Sequence, residues 1–272
     1  KSTIVSVMLT PWAWTRMPSC RSINGSYAAD LGLEMSRKAR DIVESEEYQE
    51  CFPDVLIRKD QNTKSNYVTT GKGQRITTST GAGITGKHAH VIVIDDPLNP
   101  KQAASAPELK EANNWMEETL PSRKVNKKIT PMILIMQRLA QNDPTGSRLE
   151  KAKKDGGKGV RHICLPATTE YTIRPKRLQR QYSDGLMNPS RTNRAVLEEV
   201  KTVSGDFVLS CQYGQSPIPR GGGMFKRDRA KLVHSIPSEG FKQVTRYWDK
   251  AGTYDGGCWT VGLKLGLQEI KL

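Results

Sequence analysis

Four apolar, β-forming residues in a row, Val91-Ile92-Val93-Ile94, end on two carboxylates and a proline, Asp95-Asp96-Pro97. A strand with one wet face alternates apolar and polar residues. A run without alternation predicts a strand covered on both faces, the signature of the interior of a parallel sheet. Such a strand needs crossover helices, and the neighbouring sequence offers them. Lys110 to Leu120, carrying Trp115 and Met116, reads as a helix, and Pro131 to Met136 reads as a second buried strand. Upstream, Leu31, Met35, Ala39, Ile42 and Val43 recur at helical spacing within Ser26 to Glu50, a segment stopped at Cys51-Phe52-Pro53. Strands alternating with helices predict an α/β fold with a mainly parallel central sheet. Thr3 to Leu9 is expected to be a buried helix or strand, Tyr67 to Thr80 to form strands and turns, and Gly81 to Gly86 to be a flexible loop.

Charge narrows the choice of partner. The 272-residue chain carries a formal net charge of +14, with a pI near 9.6 and 36% hydrophobic residues. That balance points to a polyanion, nucleic acid above all, or to a basic surface kept for solubility. Lys151 to Arg194 is the most basic segment and has weak apolar periodicity. It reads equally as a DNA-facing surface or as a solvated, loop-rich subdomain. The five cysteines are odd in number and widely spaced, with no C-x-x-C. This argues against a disulfide framework or zinc knuckle and fits a reducing cytosol. No apolar run approaches the roughly 18 residues of a membrane span, and no signal peptide is evident. The chain starts at Lys1 and ends in an apparent strand from Trp259 to Leu265, so both ends look cut. Pro217 to Gly223 reads as a linker. Beyond it, Val244, Tyr247 and Trp248 predict a third buried strand leading to Asp249.

Three clusters are candidates for chemistry. A parallel strand ending in carboxylates delivers them to the carboxyl edge of the sheet, where α/β folds bind ligands. Asp95 there is a candidate to hold Mg²⁺ and, through it, the phosphates of ATP, with Asp96 polarising the attacking water; the alternative is a plain Asp-Asp-Pro turn. Lys1-Ser2-Thr3 matches only the last letters of the phosphate-binding motif G-x-x-x-x-G-K-S/T, in which Lys reaches phosphates and the hydroxyl binds Mg²⁺. Gln137 and Arg138, closing the Ile133 to Met136 strand, are candidates to sense a γ-phosphate and move Asn142 to Gly146; the alternative is a solvent-exposed strand end. Other features have plainer readings. His88 and His90 lack a third ligand and are expected to flank the strand near solvent. Trp12 and Trp14 are expected to pack. Arg37, Lys38 and Arg40 read either as a solvated helix face or as a source of an arginine for a neighbouring subunit's ATP.

Taken in order, these motifs resemble the large subunit of phage terminases. Residues 81–97, GAGITGKHAHVIVIDDP, look like that family's Walker B region. Residues 26–53, SYAADLGLEMSRKARDIVESEEYQECFP, resemble the segment that follows its phosphate loop. Residues 207–226, FVLSCQYGQSPIPRGGGMFK, are similar to its ATPase–nuclease junction, and RYWDKAGT at 246–253 to the opening of its nuclease. The resemblance implies an additional-strand P-loop ATPase domain over 1–215, a linker over 216–240, and the first strands of an RNase H-like nuclease over 241–272. It implies an ATP-driven motor moving double-stranded DNA into a capsid, with concatemer cleavage by the complete protein. The implied ligands are ATP with Mg²⁺, and Mg²⁺ or Mn²⁺ at the nuclease. The implied partners are a portal protein, a terminase small subunit and further copies in a ring, in the cytoplasm of an infected bacterium.

By position, Lys1, Ser2, Thr3, Asp95 and Gln137 would bind the nucleotide, Ser2 and Asp95 its metal, and Asp96 and Arg138 would act in hydrolysis. Asp249 would be the first metal-binding carboxylate of the nuclease, with Asp255 a weaker candidate. Three departures stand out. The phosphate-loop glycines are absent. Asp96 stands where many such ATPases have Glu. Met136-Gln137-Arg138-Leu139 replaces the family's usual Thr-Arg-Trp. A helicase-like nucleic-acid-stimulated ATPase and a non-catalytic basic DNA-binding protein are the competing readings.

Overall fold

A computed structural model describes residues 1–157, 159–219, 241–249 and 261–268. The chain divides into two compact units, Lys1–Gly223 and Met224–Leu272.

The first unit is an α/β fold around a six-stranded sheet in the order β2-β3-β4-β1-β5-β6. Its strands are β1 (Arg21–Ser26), β2 (Ile57–Asn62), β3 (Asn66–Thr69), β4 (Gln74–Ser79), β5 (Val91–Asp95) and β6 (Met132–Ile135). From β4 through β1 and β5 to β6 every pairing is parallel, whereas β2 and β3 add on antiparallel. All five residues of β5 are buried. Successive side chains of a strand face opposite sides, and here they enter two different cores. Val91 and Val93 pack with Trp14, Val43, Tyr67 and Ile135, while Ile92 and Ile94 pack with Ile23, Ile76, Trp115 and Leu120. Each such burial contributes about 1.5–3 kcal/mol, so the unbroken apolar run follows directly from the strand's place.

β1 was not foreseen. Its sequence, Arg-Ser-Ile-Asn-Gly-Ser, is polar, yet Ser22 through Ser26 are all buried. Burying polar groups is tolerated when they find partners, and here most do, Asn24 Oδ1 being the exception. Thr10 donates to Ser22 Oγ at 3.1 Å, Asn24 Nδ2 to the same oxygen at 3.0 Å, and Ser26 to the Ala28 carbonyl at 2.6 Å. β6 corrects another expectation. It forms the outer strand of the sheet, and only Ile135 of its four residues is buried.

The chain opens with a π-helical stretch, Thr3–Met8, running into α1 (Leu9–Arg16). Pro11 lies in the first turn of α1 and has no N–H to offer the carbonyl four residues back, a known cause of irregular winding. This segment is not buried throughout, as expected from its apolar run: Ser6 and Val7 face inward, whereas Ile4 is 67% exposed. α2 (Ala29–Glu44) buries Gly32, Ser36, Ala39 and Val43, with Leu31, Met35 and Ile42 flanking that stripe half-buried. Gly32 is small because α2 crosses β4 closely; a Cβ there would lie 2.8 Å from Thr77 Cγ2. α3 (Glu46–Cys51), capped by Ser45 accepting from the Tyr48 N–H, ends before Pro53. α4 (Ala106–Asn114) continues through a π turn, Trp115–Thr119, that buries Trp115.

α5 (Pro144–Lys154) leads into the basic segment. This segment is loop-rich, with one short 3-10 helix, Lys176–Gln181, and isolated bridges such as Cys164 to Arg174. α6 (Arg194–Val208) follows, broken at Gly205 where φ is 80°.

In the second unit, β7 (Phe241–Asp249) pairs antiparallel with β8 (Val261–Gln268). The predicted strand is present, but Val244, Tyr247 and Trp248 are each half or more exposed rather than buried. A two-stranded sheet has no layer of its own to cover its faces. The 220–240 part of the expected linker and Asp255 lie outside the described residues.

Candidate active site

β5 ends on Asp95, which is 2% exposed. The opening helix begins directly beside it. Ser2 and Ser6, one turn apart, both donate to this carboxylate: Ser2 Oγ to Oδ1 at 3.2 Å and Ser6 Oγ to Oδ2 at 2.6 Å. The unpaired N–H groups at a helix start carry partial positive charge, which favours anions there. Thr3 is exposed, and no side-chain hydrogen bond ties it to either carboxylate.

Asp96 turns the chain sharply. Its φ is 47°, a left-handed conformation that Asp tolerates better than most residues. Three backbone-level contacts fix it. Its N–H donates to the Ile135 carbonyl at 2.8 Å, its own carbonyl accepts from the Tyr27 N–H at 2.9 Å, and Oδ1 accepts from the Gln137 N–H at 3.3 Å. Asp96 therefore joins the ends of β1, β5 and β6. Burial, and then the neighbouring Asp95 carboxylate, push its pKa above the usual carboxylate range; Lys1 and the Gln137 N–H pull it back in part. Gln137 thus reaches the acidic pair through its backbone.

Arg138 is engaged elsewhere. Its Nε donates to both oxygens of Asp143, at 2.9 and 3.0 Å, and one terminal nitrogen donates to the Ala140 and Gln141 carbonyls. Asp143 is wholly buried; it caps α5 through the Gly146 N–H and also accepts from the Leu139 N–H. Arg138, Asp143 and Gly146 form one tight turn at the end of β6. A Cβ on Gly146 would sit 1.9 Å from the Gln141 carbonyl oxygen.

Lys1, Ser2, Asp95, Asp96 and Gln137, expected from the sequence at one sheet edge, lie together there. Ser6 and Tyr27 are site residues that the sequence did not single out, and Asp143 appeared there only within the Asn142 to Gly146 segment. Ser6 lay inside an apolar run, although its i+4 spacing from Ser2 marked a shared helix face. Asp143-Pro144-Thr145-Gly146 carried a visible signal, an N-cap acid followed by proline at the first helical position. Asp249 is the last residue of β7, in the other unit.

His90 Nδ1 accepts from the Arg21 N–H at 3.0 Å, tying β5 to β1. Trp14 is fully buried with Nε1 donating to the Cys20 carbonyl, whereas Trp12 is exposed rather than packed. On α2, Lys38 pairs with Glu34 and Arg40 donates to Asn62, beside an exposed Arg37.

The donors around Asp95 are all oxygen. Among the described residues no group of three or more His, Cys, Asp or Glu forms a protein-only metal cage. A hydroxyl with one or two carboxylates suits Mg²⁺, which completes its shell with water and phosphate oxygens. Among the described residues, no helix is long and apolar enough to cross a membrane.

No family model and no curated protein matches this chain. Solved structures that align with it include two large terminases. The large terminase of bacteriophage HK97 is 12% identical, aligning over 90% of this chain and 52% of that one with a TM-score of 0.48. A mutant ATPase domain of the large terminase of Thermus phage P74-26 is 14% identical over 80% of this chain and 84% of that one, with a TM-score of 0.44. The chain spans about half the length of the HK97 protein.

Proposed function

We propose that this chain binds a nucleoside triphosphate with Mg²⁺ at the Ser2–Asp95–Asp96 edge and hydrolyses it, as the ATPase portion of a viral DNA-packaging motor. One observation carries the reading: two hydroxyls at a helix start converge on a buried carboxylate, with a second carboxylate of raised proton affinity next in sequence. Ser2 and Asp95 would hold the metal, whose contribution is to neutralise charge on the phosphate oxygens. Lys1, at the same helix start, adds a cation for the phosphates. Asp96 accepts a proton from the attacking water; its raised pKa strengthens it as a base, and the Gln137 N–H holds one of its oxygens in place. Arg138 acts through the turn it builds with Asp143, passing displacement at the end of β6 to α5.

DNA as the moved polymer is supported by the chain's net positive charge and by the terminase-like order of its motifs. The same order supports Asp249 as the first metal-binding carboxylate of a nuclease in the complete protein, and a portal, a small subunit and a ring of copies as partners.

The test is a pair of substitutions in the full-length protein. Asp95→Asn is expected to abolish Mg²⁺-dependent nucleotide binding. Asp96→Asn should retain binding while slowing hydrolysis by about 100-fold or more, the usual range for a lost general base. Unchanged hydrolysis in both would put the catalytic site elsewhere, and wild-type protein without hydrolysis above background would instead support a non-catalytic DNA-binding protein.

A further inference from the structure

Arg75 is fully buried on β4 and joins none of the ion pairs of the described residues. Its hydrogen-bonded partners are neutral. One terminal nitrogen donates to Thr10 Oγ1 at 3.0 Å, the other to the Ser6 carbonyl at 2.7 Å, and Nε has no partner. A guanidinium held this way is a poor stabiliser. Burial strips its charge of water with no opposite charge paired to it, and even buried ion pairs are often replaced by well-packed apolar residues without loss of stability. Packing therefore does not account for it.

Its contacts do. Both acceptors belong to the opening helix, at Ser6 and one turn later at Thr10. The Thr10 hydroxyl donates in turn to Ser22 Oγ on β1, and the Ser6 hydroxyl donates to Asp95 Oδ2. A cavity of about 10 Å³ is lined by Arg75, Ser6, Asn24 and Asp95 among others, so these groups are contiguous. The Ser6 backbone is thus held by Arg75 while its side chain holds the carboxylate. Lysine has a single nitrogen and cannot reproduce the planar fork that reaches two acceptors a helical turn apart.

We propose that Arg75 is a positioning residue for Asp95, acting through Ser6. It fixes how far the start of the opening helix stands from the end of β5, and hence the spacing of the Ser2 and Asp95 oxygens. The proposal rests on the nucleotide reading for its consequence, but the clamp itself does not depend on that reading.

The experiment uses the full-length protein with Arg75→Met, Arg75→Lys and Ser6→Ala. A fluorescent ATP analogue is titrated in Mg²⁺ and in EDTA, and hydrogen exchange is followed over Thr3–Met8. Arg75→Met and Arg75→Lys should weaken the Mg²⁺-dependent part of binding by about tenfold, as losses of outer-shell support do, and leave binding in EDTA unchanged. Ser6→Ala should do the same with Arg75 intact, and the Ser6→Ala/Arg75→Met pair should be no worse than either alone. Exchange at Thr3–Met8 should rise in the Arg75 variants. Equal weakening with and without Mg²⁺, or additive effects of the pair, overturns the proposal in favour of a merely structural arginine. Wild-type protein that binds no nucleotide overturns the nucleotide reading instead, and the exchange result then decides the clamp alone. Should Arg75→Met not fold, Thr10→Val removes one acceptor while keeping the charge, and unchanged exchange over Thr3–Met8 in that variant overturns the proposal.

Discussion

Two carboxylates in the first unit are buried to different ends. Asp95 accepts one hydrogen bond on each oxygen, from the Ser2 and Ser6 hydroxyls, which leaves lone pairs on both oxygens. Asp143 accepts from Arg138, Leu139, Ala140 and Gly146, so its oxygens are fully engaged by protein. Asp143→Ala should therefore destabilise the fold by about 3–5 kcal/mol, because it leaves the mostly buried Arg138 charge without its partner. Asp95→Ala should destabilise it less, and urea denaturation of both variants measures the difference. His90 makes a second prediction at this scale. Burial, and then Arg21, lower its pKa, and its Nδ1 must be unprotonated to accept the Arg21 N–H. A depressed folded pKa gives stability that is present above the unfolded value, about 6.5, and is lost as pH falls through the folded one. The stability gap between wild type and His90→Gln should accordingly narrow on acidification below that value. A gap constant from neutral to acidic pH would show that the imidazole does not bear on folding. The acidic pair was legible in the sequence because both carboxylates follow an apolar strand. Ser6 and Arg75 were not, because no local pattern shows that a serine in an apolar run and an arginine in a strand meet where the opening helix packs on β4.

At the scale of elements, legibility followed burial chemistry. β5 could be read because it is apolar on both faces, and α2 because its apolar stripe has helical spacing. β1 could not, since it enters the same core with serine and asparagine side chains paired by hydrogen bonds that only the folded chain provides. The place of β1 also depends on Gly25. A Cβ there would come within 2.7 Å of Trp115 Cη2 and 2.9 Å of Ile94 Cδ1, so β1 lies between β4 and β5 only because this residue leaves room for the indole. Gly25→Ala should destabilise the first unit by about 1–3 kcal/mol through overpacking. Gly83→Ala, where a Cβ meets nothing within 4 Å, serves as the reference, and thermal unfolding of the two variants side by side tests the comparison. A Gly25→Ala protein as stable as the reference would mean that Trp115 repacks freely.

For the whole molecule, the question is whether a net charge of +14 is a means of solubility or of binding. Pairing within the fold separates the two. In the basic segment, Lys151 pairs with Glu117, Lys153 with Glu150 and Arg194 with Glu170. Arg161, Arg174, Lys176, Arg177, Arg180 and Arg191 are exposed and join no ion pair among the described residues. Three of these, Lys176, Arg177 and Arg180, lie on one short helix, Lys176–Gln181, which concentrates positive potential where the fold has little other regular structure. If this surface meets phosphates, each contact releases counterions, and the logarithm of the DNA-binding constant falls with the logarithm of salt by about 0.9 per phosphate neutralised. Arg177→Ala/Arg180→Ala should then reduce that slope by about 2, weakening binding at low salt and leaving the protein's stability unchanged. Fluorescence anisotropy of a labelled duplex across a salt series reads the slope directly. A solubility role predicts the same slope in both proteins, with the variants differing only in how readily they precipitate.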